Sequence, residues 1–288
     1  MTIRKVAVVG GGVMGRQIAL NAAIYGYQVK LTDISEKTRA DVVRWEEEYL
    51  AGRIAKGRMS AEKVEEIRGR FAVVKDTAAA VSDADLVIEA VVEVADVKRA
   101  VFREIAQYAP AKALMATNSS RMPSSLFAGS VADPSRLANM HYNNPALVMK
   151  LVEVQMNEQT SEETAGTLME FVRSLEKEPV LIRKEVEGMI VSRVLGAINR
   201  EAFYLVENGH ATPEDVDKAV EKGLSHPMGP FRLLDLTGID LTFTILSRRY
   251  EDQGVKPVGY DLLKGMVEQG RLGRKTGRGF YDYTEEKK

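Results

Sequence analysis

Cysteine is absent from the 288 residues. Disulfides, thiolate nucleophiles and cysteine-based zinc or iron–sulfur sites are therefore excluded, and a reducing, cytoplasmic setting is expected. Histidine is scarce, with His141, His210 and His226 the whole supply of imidazole acid–base groups. An excess of one charge is missing too, since 40 Lys and Arg face 41 Asp and Glu, for a net charge of -1. A nucleic-acid binder rests on many uncompensated phosphate contacts, so no such partner is expected. No apolar run approaches the ~18 residues that a membrane helix needs. Arg4 and Lys5 ahead of Val6 to Val9 imitate a secretory signal, but Gly10 to Gly12 and Arg16 cut the run short. No small-x-small cleavage site follows, and a soluble protein without a membrane partner is expected. Internal repeats, low-complexity tracts and flexible linkers are also missing, so two parts of the chain, if present, should pack directly together.

What is present is ample material for a core, with 45% hydrophobic and 28% charged residues in a length that suits one large or two moderate domains. Short apolar runs at Val6–Val9, Val29–Thr32, Phe71–Val74, Leu86–Ile88, Ala113–Ala116 and Leu151–Val154 read as strands. Between them, Val13, Met14, Ile18, Ala19, Ala22 and Ala23 recur at helical spacing, as do Val97, Val101, Ile105 and Tyr108. Residues from about Ser35 to Gly69 predict one long or two shorter exposed helices, and Thr160 with Glu163 predicts a capped helix start. Strand–helix alternation of this kind predicts an α/β, mainly parallel sheet covered on both faces. After about Lys184 strands give way to helices: Met189 to Asn208, a helix capped by Thr212, and Leu233 to Tyr250. The expected organisation is an α/β domain over 1–184 and a smaller all-α domain over 185–288.

Gly10-Gly11-Gly12-Val13-Met14-Gly15 satisfies G-x-G-x-x-G, directly after one strand and opening a helix, and the next strand closes on Asp33. In that context each glycine serves a purpose. Gly10 allows the tight turn, Gly12 the close approach of a pyrophosphate, and Gly15 the helix–strand packing. The amides of Val13 and Met14 then face the phosphates. A Rossmann-type dinucleotide-binding domain is expected, with Asp33 on the adenosine ribose and NAD favoured over NADP; Lys37 and Arg39 leave a phosphate-tolerant site open. Of the histidines, His210 and His226 sit in loop contexts, whereas His141 stands in a polar, turn-ending segment, Asn139 to Pro145, with Glu153 in a strand soon after. From spacing alone their contact stays open.

Taken together, Gly10 to Gly15, Asp33, Asp85-Leu86-Val87-Ile88-Glu89-Ala90-Val91-Val92-Glu93 and Thr117-Asn118-Ser119-Ser120 resemble the L-3-hydroxyacyl-CoA dehydrogenases. So do His141 with Asn144-Pro145, Val148 to Val154, Pro227 to Pro230 with Leu233-Leu234-Asp235, and Gly273 to Tyr281. The resemblance spans nearly the whole chain and is strongest toward the short, monofunctional 3-hydroxybutyryl-CoA type. It implies a catalytic His141–Glu153 dyad, Ser120 on the reacting oxygen, and Glu93, Lys98, Asn118, Asn144 and Lys275 near NAD. It also implies Lys56 on coenzyme A and a homodimer through the helical domain. Three positions depart from the family's pattern: Ser192 replaces an Asn that binds the acyl carbonyl, Arg121 replaces a small or hydroxyl residue, and Tyr142-Asn143 replaces an aromatic pair. Ser192 is expected to reach the thioester oxygen through a water. All three are expected near the acyl site, which leaves open a sister enzyme acting on carnitine or a sugar acid, or a binder of NAD and acyl-CoA without turnover.

Overall fold

Val6 to Val9 offers no polar side to water, so it is stable only as a strand covered on both faces. The structure, a computed structural model, describes residues 2–284. There this run is β1 (Lys5–Val9), with Val6 and Val8 in one apolar core and Ala7 and Val9 in another on the opposite face. The chain continues through α1 (Val13–Ile24), β2 (Gln28–Thr32), α2 (Glu36–Ala55), α3 (Ala61–Arg68), β3 (Phe71–Val73), α4 (Thr77–Val81), β4 (Leu86–Glu89), α5 (Ala95–Tyr108) and β5 (Leu114–Thr117). After a 3-10 stretch at Ser124–Ser130 come β6 (Leu137–Tyr142), β7 (Leu151–Gln155), α6 (Glu162–Ser174) and β8 (Glu178–Ile182). The eight strands form one sheet in the order β3-β2-β1-β4-β5-β6-β7-β8. Strand pairs from β3 to β6 are parallel, β7 runs antiparallel to β6, and β8 parallel to β7. The reversal has a simple cause: the link from Tyr142 to Leu151 is too short for the helical crossover that a parallel neighbour requires. Because order reverses beside β1, with β2 on one side and β4 on the other, a crevice opens beyond their carboxyl ends.

Several local expectations need correction. The polar segment that holds His141 is strand β6 as far as Tyr142, with the bend and turn following from Asn144, and its polar residues alternate with buried Ala138, Met140 and Tyr142. The same alternation removes Tyr142 from the expected acyl site, since its ring lies in the core on the face opposite His141. Ser161, not Thr160, caps α6, accepting the Thr164 amide at 3.1 Å. The Thr160 hydroxyl is committed to the Leu137 carbonyl instead.

The chain divides between Ile190 and Val191 into two compact units. The second is helical: α7 (Met189–Glu207), which starts at the end of the first unit, α8 (Pro213–Gly223), α9 (Pro230–Thr237), α10 (Ile239–Gln253) and α11 (Tyr260–Glu268). The helix expected from Leu233 to Tyr250 is broken at Gly238, whose φ of 104° no helix accommodates. Phe203, Phe231, Leu234, Ile239, Leu263 and Met266 form its core. Buried Asp235 anchors the C-terminal loop, accepting the amides of Phe280 and Tyr281 at 2.9 Å and the hydroxyl of Tyr283 at 3.0 Å. Asp235→Ala strands these donors and should cost roughly 3–5 kcal/mol in urea unfolding. An unchanged midpoint would show the loop is held by something else.

Candidate active site

The glycine loop has the stereochemistry its spacing demanded. Gly10 has φ 111°, and a Cβ on it would stand 2.5 Å from the Ala90 carbonyl oxygen. A Cβ on Gly15 would overlap the Gly10 carbonyl oxygen itself. Gly12 is different, because nothing lies within 4 Å of where its Cβ would be. It caps α1 with no side-chain hydrogen bond, so the first amides of a 12-residue helix, at Val13 and Met14, face open space with the positive end of the helix dipole behind them. A diphosphate fits that cradle.

Asp33 stands beside it, at the end of β2. Its carboxylate accepts the Gly11 amide at 2.8 Å through Oδ2 and the Ser35 amide at 2.8 Å through Oδ1, which fixes its plane and leaves lone pairs for ribose hydroxyls. Arg39 donates to the carbonyls of Asp33 and Ile34, and Lys37 pairs with Asp41.

Next in the crevice, the ends of β4 and β5 carry a buried polar network. Lys98 is not the surface lysine its sequence context suggests: its ammonium is 2.7 Å from Glu89, with the two side chains 1% and 0% exposed. It also donates to the Val91 carbonyl at 3.3 Å, while Glu89 accepts the Val91 amide and the Thr117 hydroxyl. Glu93 is 3.9 Å from Lys98 and accepts the Ser119 hydroxyl at 2.8 Å. Glu89 escaped the sequence reasoning although a signal existed, a carboxylate closing an otherwise apolar strand. A buried charge there needs a partner, and Lys98 supplies it. Asn118 accepts the Tyr142 amide at 2.9 Å, tying β5 to β6, and Asn144 accepts Gln17 at 3.5 Å.

His141 and Glu153 stand directly opposite each other in the β6–β7 register, so their side chains share one face. His141 Nδ1 is 3.0 Å from Glu153 Oε2. The second oxygen, Oε1, accepts the Ile190 amide at 2.9 Å, in the first turn of α7. An ionised carboxylate only accepts, so Nδ1 carries a proton, and in the neutral imidazole Nε2 keeps its lone pair. Nε2 has no partner among the described residues. Ser120, in the bend after β5, is half-buried. Lys56 is the exposed C-cap of α2. In the second unit, Ser192 is exposed in the first turn of α7, and Lys275 is held by both Asp240 oxygens, at 2.6 and 2.7 Å.

Two family models match the chain: the 3-hydroxyacyl-CoA dehydrogenase NAD binding domain over residues 5–186 and the C-terminal domain of the same enzymes over 188–283. The chain belongs to this family. Among its relatives is the human mitochondrial hydroxyacyl-coenzyme A dehydrogenase, 37% identical over 98% of this chain and 91% of that protein. The 3-hydroxybutyryl-CoA dehydrogenase of Clostridioides difficile is 35% identical over 98% of this chain and 100% of that one. The solved (S)-3-hydroxybutyryl-CoA dehydrogenase of Ralstonia eutropha superposes with a TM-score of 0.86 at 31% identity, covering 98% of this chain and 100% of that one. This 3-hydroxyacyl-CoA dehydrogenase is an NAD-dependent oxidoreductase. Its glycine loop, Asp33, the Glu89–Lys98 pair, Ser120 and the His141–Glu153 pair all lie in the first unit.

Proposed function

We propose that the enzyme interconverts a short-chain 3-hydroxyacyl-CoA, such as 3-hydroxybutyryl-CoA, and its 3-keto counterpart, using His141 as general base and acid. The observation that carries this is the His141–Glu153 hydrogen bond of 3.0 Å, which leaves Nε2 unoccupied. NAD, when bound, accepts the hydride from carbon 3. His141 Nε2 takes the hydroxyl proton as that hydride leaves, and Glu153 steadies the imidazolium that results. In the opposite direction the same imidazolium returns the proton. Ser120 donates a hydrogen bond to the reacting oxygen. Lys56 meets the anionic coenzyme A. The names of the relatives from Clostridioides difficile and Ralstonia eutropha support a short chain.

The test is loss of NADH absorbance with acetoacetyl-CoA or free acetoacetate, run beside gain of NADH absorbance from NAD with carnitine or a sugar acid. Turnover of the thioester is expected; turnover of a free hydroxy or keto acid alone would move the enzyme to a sister branch. With NADPH, the Asp33 carboxylate would face a 2′-phosphate, and kcat/KM should fall on the order of 100-fold, the scale of a like-charge contact of several kcal/mol partly relieved by solvent. Equal rates would remove Asp33 from the ribose site.

The assembly we propose is a homodimer through the helical unit, because Val194, Leu236, Leu241 and Ile245 leave half or more of their surface in water. Light scattering at micromolar concentration should give about twice the monomer mass of 31.8 kDa; a monomer would contradict it. No described helix is long and apolar enough to cross a membrane. A reducing cytoplasm suits the cysteine-free chain.

A further inference from the structure

We propose that Asn139 is a positioning residue that fixes Ser120 relative to His141, a role that rests on the reaction proposed above. Asn139 is fully buried and stands two residues before His141 on β6, so both side chains leave the same face of the sheet. Its carboxamide crosses to the segment after β5. Nδ2 donates to the carbonyls of Ser119 at 3.1 Å and Met122 at 2.9 Å, while Oδ1 accepts the Ser124 amide at 2.7 Å. Ser120 lies inside this bracket.

The flanking residues are tied down as well. The Ser119 amide donates to the Thr117 hydroxyl, its own hydroxyl donates to Glu93 and accepts the Met122 amide, and Asn157 donates to the Ser124 hydroxyl. Among the described residues Ser120 alone in this bend has a hydroxyl without a partner, and it is half-buried. Ser119, Met122 and Ser124 on either side of it are held, and its hydroxyl is presented. Only a primary amide offers two donors and an acceptor in one plane at this reach: an Asp cannot donate, and an apolar side chain would strand two carbonyls and an amide. A buried network with every member satisfied is stiff, and a shift of ~1 Å in a positioned group can cost as much as 100-fold in rate. Asn139 therefore joins the strand that carries the base to the turn that carries the hydroxyl.

The experiment is a double-mutant cycle with acetoacetyl-CoA and NADH, using Asn139→Ala, Ser120→Ala and the double variant, with Asn139→Asp as a second variant, of nearly unchanged size, in which a carboxylate oxygen replaces the amide donor and faces the two carbonyls. NADH affinity, read by fluorescence, reports folding. Asn139→Ala should lower kcat on the order of 10- to 100-fold at wild-type NADH affinity. Added to Ser120→Ala, it should cost less than about threefold more, because the group it positions is gone. Multiplicative losses in the double variant would overturn the proposal while leaving the reaction intact. Loss of NADH binding in both Asn139 variants would also overturn it, since Asn139 would then hold the fold and not Ser120. No turnover by the unaltered enzyme would overturn the reaction and this role together.

Discussion

Replacing His141 with glutamine should lower kcat for acetoacetyl-CoA reduction by about three orders of magnitude, within the range that a positioned general acid–base contributes. Glutamine is a fair match in size, and its amide nitrogen can still donate to Glu153. What it lacks is a ring nitrogen that can take a proton from the substrate and return it. The loss should therefore fall on kcat, with NADH affinity unchanged, because the dyad sits on β6 and β7 while the glycine loop and Asp33 follow β1 and β2. Steady-state kinetics beside a fluorescence titration of NADH makes the check. A variant within tenfold of the unaltered enzyme would mean that another group moves the proton.

The glycine loop yields the second large effect, as a contrast between two neighbouring positions. In Gly12→Ala the new methyl meets no protein atom within 4 Å, and the backbone there, φ -63° and ψ -172°, is ordinary extended chain for alanine. With the pyrophosphate on the α1 amides, as we propose, the methyl would hold it off them. NADH affinity should fall about 100-fold, ~3 kcal/mol, comparable to losing one or two hydrogen bonds to a charged group, with melting temperature unchanged. Gly15→Ala places its methyl on the Gly10 carbonyl oxygen. The β1–α1 turn has to open, so both NADH affinity and stability should fall, the latter by roughly 1–3 kcal/mol as for other overpacked sites. Calorimetry with NADH titration separates the two. Equal behaviour of both variants would contradict the distinct roles of the two glycines.

The parts of this site that were legible in the sequence are those where backbone stereochemistry dictates residue type. Only glycine tolerates the Gly10 and Gly15 positions, so the loop announces itself, and an apolar run such as Val6–Val9 has one stable fate. The His141–Glu153 contact was not legible from spacing, because it depends on strand register, which exists only once β6 and β7 pair. Strand β6 was hidden for the same reason: the polar Asn139 and His141 do not show as strand residues until the sheet supplies partners for them. Strand β8 begins with Glu178 and Pro179, neither of which favours a strand, and is held by its place at the sheet edge beside β7. Lys98 and Glu89 show a further limit. Nine residues apart in sequence, they give no sign of being partners, and only the close approach of α5 to β4 makes them a buried pair.

The most direct test of the central claim is to follow the hydride itself, using NADH carrying deuterium at the transferable position of C4 with acetoacetyl-CoA and reading the product by mass spectrometry. One deuterium at carbon 3 of 3-hydroxybutyryl-CoA for each NADH consumed is the expected result. NADH that binds but is never oxidised, or a reduced product without deuterium, would contradict direct transfer between the nicotinamide and the acyl-CoA.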